Sequence, residues 1–339
     1  MIEHNKPTLG KQEQQAVSKV LESGYISQGL EVEKFENEFC DFLGLPEQHA
    51  VALSSGTSAL FMALWSLNAK NKSIAIPVYA CSALRNAVAM AQAKEILIDN
   101  AVNSPNICLE EIQKSGADIA IVPHMFGLPS NIENIENIEN IDIIEDCAQS
   151  LGALIGQKKT GLIGKVGIFS FYATKLMTSG GQGGMFVSKD KRLVERVRDY
   201  RDFDCRRDKK HRFNFQMTDV QASIGRVQLK RLPVFLERRK KIFTMYKESA
   251  LDLIESKNNT PVYYRSIIRI NNPLEVKDKL LKQGIKTIIP IEDWELLDNG
   301  SKYKNAYNLT QTTLSLPIYP SLTNKDVVYI INQLNKGIK

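Results

Sequence analysis

Six short apolar runs, separated by helix-like or turn-rich connections, constrain the fold more than any other feature of this sequence. The runs lie at 49–53, 73–77, 95–98, 118–122, 141–144 and 166–169. Apolar runs of this length are typical of strands buried on both faces, and parallel strands need long connections, which are usually helical. The sequence therefore predicts an α/β fold in which helices cover both faces of a mostly parallel sheet.

Helical periodicity flanks this pattern. It predicts helices over 11–22 and 30–43 before the first strand, then, after a strand at 185–188, helices over 191–201 and 217–232 and another that Pro233 opens. A strand at 262–270, a helix at 274–282, a short run at 287–290 and a closing helix at 324–335 describe a smaller α/β unit. We therefore expect a large domain over residues 1–240, which includes the N-terminal helices, and a small C-terminal domain over 241–339.

Basic residues are concentrated in two places. Lys and Arg number 44 against 38 Asp and Glu, and runs of them occur at 206–212 and 238–241. A solvated helix face explains 238–241, whereas 206–212 is a solvated turn or a loop that meets the diphosphate of a small molecule. No recognisable nucleic-acid motif accompanies either run, so we do not expect nucleic acid as a partner. The triplet Asn-Ile-Glu, which recurs at 131, 134 and 137, predicts an acidic connection or a short helix.

Other features favour a cytoplasmic protein. The first residues lack a basic segment followed by an apolar one, and no stretch of 18 or more apolar residues occurs, so we expect neither a signal peptide nor a membrane span. The five cysteines are scattered without C-x-x-C spacing, which disfavours a metal site or a redox pair. We expect a reducing cytoplasm and no bound metal.

The loop after the first strand is a candidate anion site. Residues 54–57, Ser-Ser-Gly-Thr, follow the strand and precede an apolar helix. Free N–H groups at a helix start, together with Ser and Thr hydroxyls, suit a phosphate monoester. An ordinary Ser or Thr N-cap explains the same residues without a ligand.

Two further strand ends carry charged groups. The strand at 141–144 ends on Glu145 and Asp146, and a carboxylate there needs a cationic partner because burying it unpaired is costly; either residue can also be an N-cap or part of an ion pair. The strand at 166–169 leads to Lys175, whose amine can attack a carbonyl in a partly desolvated loop, although a surface lysine is the commoner fate. The glycines at 180–184 precede a strand and not a helix, so they are not a dinucleotide-binding motif.

An anion site, a strand-end acid and a strand-end lysine, in this order on one parallel sheet, are the groups that pyridoxal phosphate requires. The chain resembles the DegT/StrS family of sugar aminotransferases, which are fold-type I pyridoxal phosphate enzymes that act on nucleotide-linked keto sugars. The resemblance covers essentially the whole chain. The matching motifs lie at 24–29, 35–39, 54–60, 124–127, 145–149, 170–175, 214–219 and 316–320.

The resemblance implies roles for three residues around the cofactor ring. Lys175 is the Schiff-base lysine, Asp146 pairs with the pyridine nitrogen, and Gln149 reaches the ring hydroxyl. The family often has a Phe or Trp that stacks on the ring where this chain has Cys81. Either Cys81 simply packs there, or Tyr79 partly substitutes for the missing aromatic residue.

The resemblance also implies how the phosphate is held. Gly56, Thr57 and Ser170 bind it within one chain. Family members are dimers in which an asparagine of the neighbouring chain also touches the phosphate, and Asn214 stands at that position. Gln182 and Gln216 replace a glutamate and a basic residue that are common in the family, and they can mark an altered substrate subgroup.

The implied reaction is a metal-free amino transfer in two halves, from an amino acid, L-glutamate by analogy, to a nucleotide-linked keto sugar in cell-surface polysaccharide or amino-sugar biosynthesis. Two alternatives stand beside it. A few relatives dehydrate sugars, but they replace the lysine or add cysteines for an iron–sulfur cluster. A binding or sensor protein on the same fold would not need Lys175, Asp146 and Gln149 together. The nucleotide, the sugar and the aminated carbon cannot be predicted from these motifs.

Overall fold

A computed structural model of the chain describes residues 1–132, 140–256 and 258–337. The helices of this part, in chain order, are α1 (Lys11–Ser23), α2 (Leu30–Leu43), α3 (Gly56–Ser66), α4 (Ala83–Met90), α5 (Leu109–Lys114), α6 (Lys191–Arg201), α7 (Asp219–Glu248), α8 (Pro273–Lys282), α9 (Lys304–Thr312) and α10 (Asn324–Gly337). The strands are β1 (Ala50–Leu53), β2 (Ser73–Pro77), β3 (Lys94–Ile98), β4 (Ile119–Pro123), β5 (Asp142–Asp146), β6 (Leu154–Ile155), β7 (Lys158–Lys159), β8 (Val166–Ser170), β9 (Gly184–Val187), β10 (Ser266–Arg269) and β11 (Thr313–Leu316).

Seven of these strands form the central sheet, in the order β1-β9-β8-β5-β4-β2-β3. Neighbouring strands pair in parallel except at β9, which is antiparallel to both β1 and β8. All the others therefore run in one direction, and their carboxyl ends meet at one edge of the sheet, where open α/β sheets bind ligands. The predicted α/β fold with a mostly parallel sheet is confirmed.

Alternation of side chains along the strands divides the core between the two faces of the sheet. In β1, Val51 and Leu53 pack with α3, α4 and α6, whereas Ala50 and Ala52 pack with α2 and α7. Successive side chains of a strand point to opposite faces, so helices on both sides require apolar residues at every position. The uninterrupted apolar runs of the sequence have this physical cause.

A smaller unit has its own apolar cluster. There β10 and β11 pair, and α8 and α10 pack near them around residues such as Ile268, Leu280 and Val327. The long helix α7 contributes Leu229 to the core under the central sheet and Phe243 to this second cluster. Because α7 crosses residue 240 and belongs to both cores, the division into 1–240 and 241–339 stays a prediction.

The predicted helix break at Pro233 is wrong. α7 is one helix of 30 residues with Pro233 inside it. An interior proline removes a main-chain hydrogen bond and crowds the preceding turn, which costs roughly 3 kcal/mol. Leu229, Leu232 and Phe235 are all buried and continue one apolar face past the proline, so their burial offsets that cost.

The predicted strand at 262–270 is shorter than expected, since only Ser266–Arg269 form β10. Tyr263 has a φ of 50°, a left-handed conformation that interrupts a strand. The run at 287–290 forms no strand, and Ile288 makes one bridge to Ser315. The triplet repeat falls largely on 133–139, outside the described residues. The five cysteines are free thiols, and no helix in the described ranges is long and apolar enough to cross a bilayer.

Candidate active site

A cavity of about 220 Å³ lies at the carboxyl edge of the sheet, next to the ends of β1, β2, β4, β5 and β8. Seven of the residues that the sequence assigns to a cofactor line it. They are Lys175, Asp146, Gln149, Gly56, Thr57, Ser170 and Cys81. Residues that are up to 119 positions apart in sequence thus meet because parallel strands end at a common edge.

The start of α3 presents unpaired N–H groups to the cavity. Ser55 is the N-cap, and its Oγ accepts the N–H of Ser58 at 3.0 Å, as an ordinary cap does. The N–H groups of Gly56 and Thr57, in the first turn, have no acceptor in the described part of the chain. Their neighbour is Ser170, since a Cβ on Gly56 would stand 2.8 Å from the Ser170 Cβ. The N-cap and the anion site therefore coexist at this helix start.

Asp146 ends β5 and faces the cavity. It is 8% exposed, and its Oδ1 accepts the N–H of Ala148 at 2.9 Å. Burial raises the pKa of Asp146 above its usual 3.8, although the Ala148 hydrogen bond and the charge of Lys175 partly counter this effect. A buried carboxyl of this kind favours a cation beside it.

The neighbouring Glu145 is fully buried and stabilises the fold through hydrogen bonds. Its two oxygens accept four hydrogen bonds of 2.7–3.1 Å, from the N–H groups of Gly161, Ile163 and Gly164 and from His124 Nε2. Burial by itself would raise the pKa of Glu145, but the hydrogen bonds from His124 and the main chain outweigh burial and lower it. Of the two acids that the sequence left open, Asp146 is the one that lines the cavity.

His124 follows β4 and lines the cavity, and sequence analysis gave it no role. Its Nδ1 accepts the N–H of Ser130 at 3.0 Å, so the ring proton is on Nε2, which donates to Glu145. These two hydrogen bonds fix the orientation of the imidazole. The Sγ of Cys147 lies within 4.8 Å of the His124 and Glu145 ligand atoms. Hydrogen bonds already use those atoms, so we assign no metal to the three residues.

Gln149 is oriented by an unusual turn. Its Oε1 accepts the N–H of Phe126 at 2.8 Å, which leaves the amide NH2 as a donor at the cavity. Phe126 has a φ of 61°, a conformation that is rare for a bulky residue. The strained turn thus fixes which end of the Gln149 amide is available to a ligand.

Lys175 lies in the turn that follows β8. Its N–H bonds to the carbonyl of Tyr172 at 2.9 Å, and the Asn5 side chain donates to the carbonyl of Thr174 at 2.7 Å. Its Nζ stands 5.5 Å from the centre of the Tyr264 ring and has no ion-pair partner among the described carboxylates. The cavity therefore holds an amine and a carboxyl that each lack an ion-pair partner in the described part of the chain.

Two motifs that are distant in sequence meet next to this site. The Asp219 carboxylate accepts the N–H groups of Gly29, Glu31 and Val32 at 2.8–3.2 Å, so the 214–219 motif fixes the start of α2. Phe215 accepts the N–H of Ser54 at 2.8 Å, which places the same motif against the loop before α3.

The structure does not bring Tyr79 or Asn214 to the cavity formed by the described residues. Tyr79 is fully buried and packs edge-on against Phe126, with ring centres 6.3 Å apart. Asn214 is exposed, and its Oδ1 accepts the N–H of Gln216 at 3.0 Å. Cys81 is therefore the member of the 79–81 pair that lines the cavity.

The basic loop 206–212 is partly neutralised by its own neighbours. Arg206 pairs with Asp199, and Arg212 pairs with Asp199 at 2.9 Å and Asp208 at 2.7 Å. Only the intervening residues, Arg207 among them, leave basic groups exposed to a ligand.

Known proteins resemble this chain in sequence and in fold. A sequence model of the DegT/DnrJ/EryC1/StrS aminotransferase family matches residues 7–335. GDP-perosamine synthase of Escherichia coli O157:H7 is 28% identical over 98% of this chain and 97% of that protein. The dTDP-4-dehydro-2,3,6-trideoxy-D-glucose 4-aminotransferase of Saccharopolyspora spinosa is 25% identical over 100% of this chain and 97% of the relative. The crystal structure of the aminotransferase TlmJ from Streptoalloteichus hindustanus has a TM-score of 0.93 at 26% identity and covers 99% of this chain and 98% of its own.

Proposed function

The chain belongs to the DegT/DnrJ/EryC1/StrS aminotransferase family, and we propose that it moves an amino group from L-glutamate to the keto carbon of a nucleotide-linked sugar. One observation carries the proposal: a single cavity gathers a free helix N-terminus, the buried Asp146 and the unpaired amine of Lys175. The product would enter cell-surface polysaccharide or amino-sugar biosynthesis in the cytoplasm.

The residues around the cavity fit pyridoxal 5′-phosphate, the cofactor of such aminotransferases. The N–H groups of Gly56 and Thr57 lack acceptors in the described chain, and a phosphate supplies them. The carboxyl of Asp146 has no cation in contact among the described residues, and a protonated pyridine nitrogen would supply one. The amine of Lys175 has no ion-pair partner in the same ranges, and an aldehyde is the group with which such an amine reacts.

Each side chain then has a defined task. Gly56, Thr57 and the hydroxyl of Ser170 hold the phosphate, while the amide NH2 of Gln149 donates to the ring hydroxyl. Asp146 keeps the ring nitrogen protonated. The chemistry that the bound cofactor supplies is an electron sink and a carrier for the amino group.

Lys175 acts on protons. Once its Nζ is free, it would take the proton from the α-carbon of the amino donor and pass it to the cofactor in the first half of the reaction, and would carry a proton from the cofactor to the former keto carbon of the sugar in the second half. The turn around Thr174, held by Asn5, keeps this amine beside the cavity and so limits the distance over which the proton moves.

We further propose that two chains form each active site. Asn214 is exposed and precedes Phe215, whose carbonyl bonds to the loop before α3; its Oδ1 accepts the N–H of Gln216, and its side-chain NH2 would donate to the phosphate of a partner subunit. Large apolar side chains are exposed in nearby segments, with Tyr25 at 82% and Phe213 at 61%, and a subunit contact would cover them. The exposed basic groups of 206–212 are our candidate for the diphosphate of the sugar nucleotide.

A substrate panel tests the proposed function. The purified protein, loaded with the cofactor, is incubated with L-glutamate and with UDP-, dTDP- or GDP-linked 3-keto and 4-keto sugars. We expect 2-oxoglutarate and one amino sugar in equal amounts. A keto sugar that loses water without consuming glutamate would instead indicate a dehydratase, and a protein that binds the sugar without turnover would indicate a binding module.

A further inference from the structure

A guanidinium that pairs with no described carboxylate lies next to the candidate active site. Arg265, which immediately precedes β10, has a buried Nε with no hydrogen-bond partner in the described chain. Its Nη1 contacts His4 Nε2 at 3.5 Å, and no described carboxylate lies within ion-pair distance of it. A buried donor without a partner carries a desolvation cost, so this atom calls for an acceptor.

Arg265 and Lys175 both lie close to the ring of Tyr264. The guanidinium carbon of Arg265 is 5.4 Å and the Nζ of Lys175 is 5.5 Å from the centre of the Tyr264 ring. The distance between these two groups is therefore no greater than the sum of the two values. The main chain fixes this relation. Arg265 N–H bonds to the carbonyl of Phe126 at 3.3 Å, and the N–H of the same Phe126 orients Gln149.

The charge around the Tyr264 ring is of one sign. Arg239 is fully buried, but its Nη1 donates to the carbonyls of Tyr264 and Ile318 at 3.1 and 2.9 Å. These hydrogen bonds stabilise the fold, so this nitrogen is not available to a ligand. Burial, with the charges of Arg265 and Arg239, lowers the pKa of His4 to about 3, so His4 is neutral. Unlike Arg239, Arg265 donates to no described main-chain carbonyl through its side chain, and its contact there is with His4, so its guanidinium is available to a ligand. An anion beside it would relieve the repulsion among the like charges.

We propose that Arg265 binds a carboxylate of the amino donor. The inference rests on the proposed function, because it assumes that the amino group of the donor reacts where Lys175 stands. A guanidinium matches a carboxylate with two parallel hydrogen bonds. In a short dicarboxylic amino acid the carboxylates are a few bonds from the amino group, which suits the separation between Arg265 and Lys175.

The diphosphate of the sugar nucleotide offers the same anionic chemistry. It is flanked by a sugar on one side and a nucleoside on the other, whereas Arg265 is half-buried beside Tyr264. A free carboxylate therefore fits this position better than a diphosphate.

The test uses the holoenzyme of Arg265→Lys and Arg265→Gln and follows the cofactor absorbance as L-glutamate is added. We expect the apparent Kd for glutamate to rise roughly 10- to 100-fold, because two charge-assisted hydrogen bonds are lost or weakened. Inhibition by glutarate, which has both carboxylates but no amine, should weaken in parallel. The KM for the sugar nucleotide should not change. Arg269→Gln is the matched control, because Arg269 lies at the other end of β10 and bonds to Asn103 and Asp252 instead.

Arg265→Lys keeps the positive charge but cannot form two parallel hydrogen bonds with a carboxylate. A folded Arg265→Lys protein with weaker glutamate binding would therefore show a loss of binding and not a loss of folding. Wild-type affinity for glutamate and glutarate in both variants would overturn the proposal. So would a rise in the sugar-nucleotide KM alone, which would assign the site to the diphosphate. If the wild-type holoenzyme itself does not respond to glutamate, the proposed function fails; if the wild type responds and the variants respond equally, only the role of Arg265 fails.

Discussion

Glu145 and Asp146 are adjacent carboxyls whose pKa values are shifted in opposite directions. The four hydrogen bonds to Glu145 stabilise its charge, and the burial of Asp146 with fewer hydrogen bonds destabilises its charge. The difference follows from strand alternation, because one side chain points into the fold and the next into the cavity. A sequence shows both acids at a strand end but not which hydrogen bonds each receives.

The raised pKa of Asp146 predicts a pH dependence for the cofactor-free protein. The folded state holds this proton more tightly than the unfolded state, so its contribution to stability is complete below the ordinary pKa of 3.8 and is lost as the pH rises through the folded value. Asp146→Asn should therefore stabilise the cofactor-free protein at pH 7, and the gain should vanish below pH 3.8. Urea unfolding at several pH values measures this difference.

The same substitution should lower turnover of the holoenzyme roughly 100-fold or more, because an amide cannot hold the ring nitrogen protonated. Asp142→Asn, on the same strand and paired with the exposed Lys165, is the control and should keep its activity. Wild-type turnover by Asp146→Asn would show that the Asp146 carboxylate is not needed for the reaction.

At the scale of elements, β9 brings the start of α3 against β8. Gly184 pairs with Leu53 on one side and Ser170 on the other. A Cβ at this position would collide with the main chain at Ser55. The glycine therefore allows the strand to approach the loop that holds the N–H groups of the anion site.

Gly184→Ala should displace this loop and weaken cofactor binding about tenfold or more, with a lower Tm, because backbone atoms cannot yield as a flexible side chain can. Titration of the cofactor-free protein with pyridoxal phosphate measures the affinity. Gly10→Ala, where the nearest atom would be 3.7 Å from the new Cβ, should leave the affinity unchanged. Equal affinities for the two variants would contradict the close packing described here.

The sequence predicted the elements whose burial produces a simple pattern and missed those set by tertiary contacts. All six apolar runs became strands of the central sheet because both faces of that sheet are covered. The break expected at Pro233 did not occur, since packing along α7 outweighs one lost hydrogen bond. The left-handed conformation of Tyr263 could not be foreseen, because nothing in local sequence requires it there.

The residues of the candidate site likewise fall into those that a local sequence pattern indicates and those that only tertiary contacts bring there. Gly56 begins α3, Asp146 ends β5 and Lys175 lies in the turn that follows β8, so their positions followed from the strand pattern. His124 is also at a strand end, and that signal was available. Arg265 lies close to Lys175 although the two residues are 90 positions apart in sequence. A contact between such distant segments cannot be predicted from a local sequence pattern.

In the whole molecule, we expect each active site to use residues of two subunits. Lys175→Ala and Asn214→Asp should each be inactive or severely impaired alone, the second because a negative charge would repel the phosphate. When the two variants are unfolded together and refolded, half of the dimers are mixed, and one of the two sites in each contains both native residues. Activity should return to about a quarter of the wild-type value. No recovery in verified mixed dimers would show that Asn214 does not serve the partner's site.

The central claim is that the amine of Lys175 is the group that holds the cofactor, and reduction with borohydride tests it most directly. The holoenzyme is reduced, digested and examined by peptide mass spectrometry, with Lys175→Ala treated in parallel. We predict that the phosphopyridoxyl mass is found on Lys175 in the wild type and on no lysine of the folded variant. The same mass on a different lysine of the wild type, or no labelled peptide from a protein saturated with cofactor, would contradict the account.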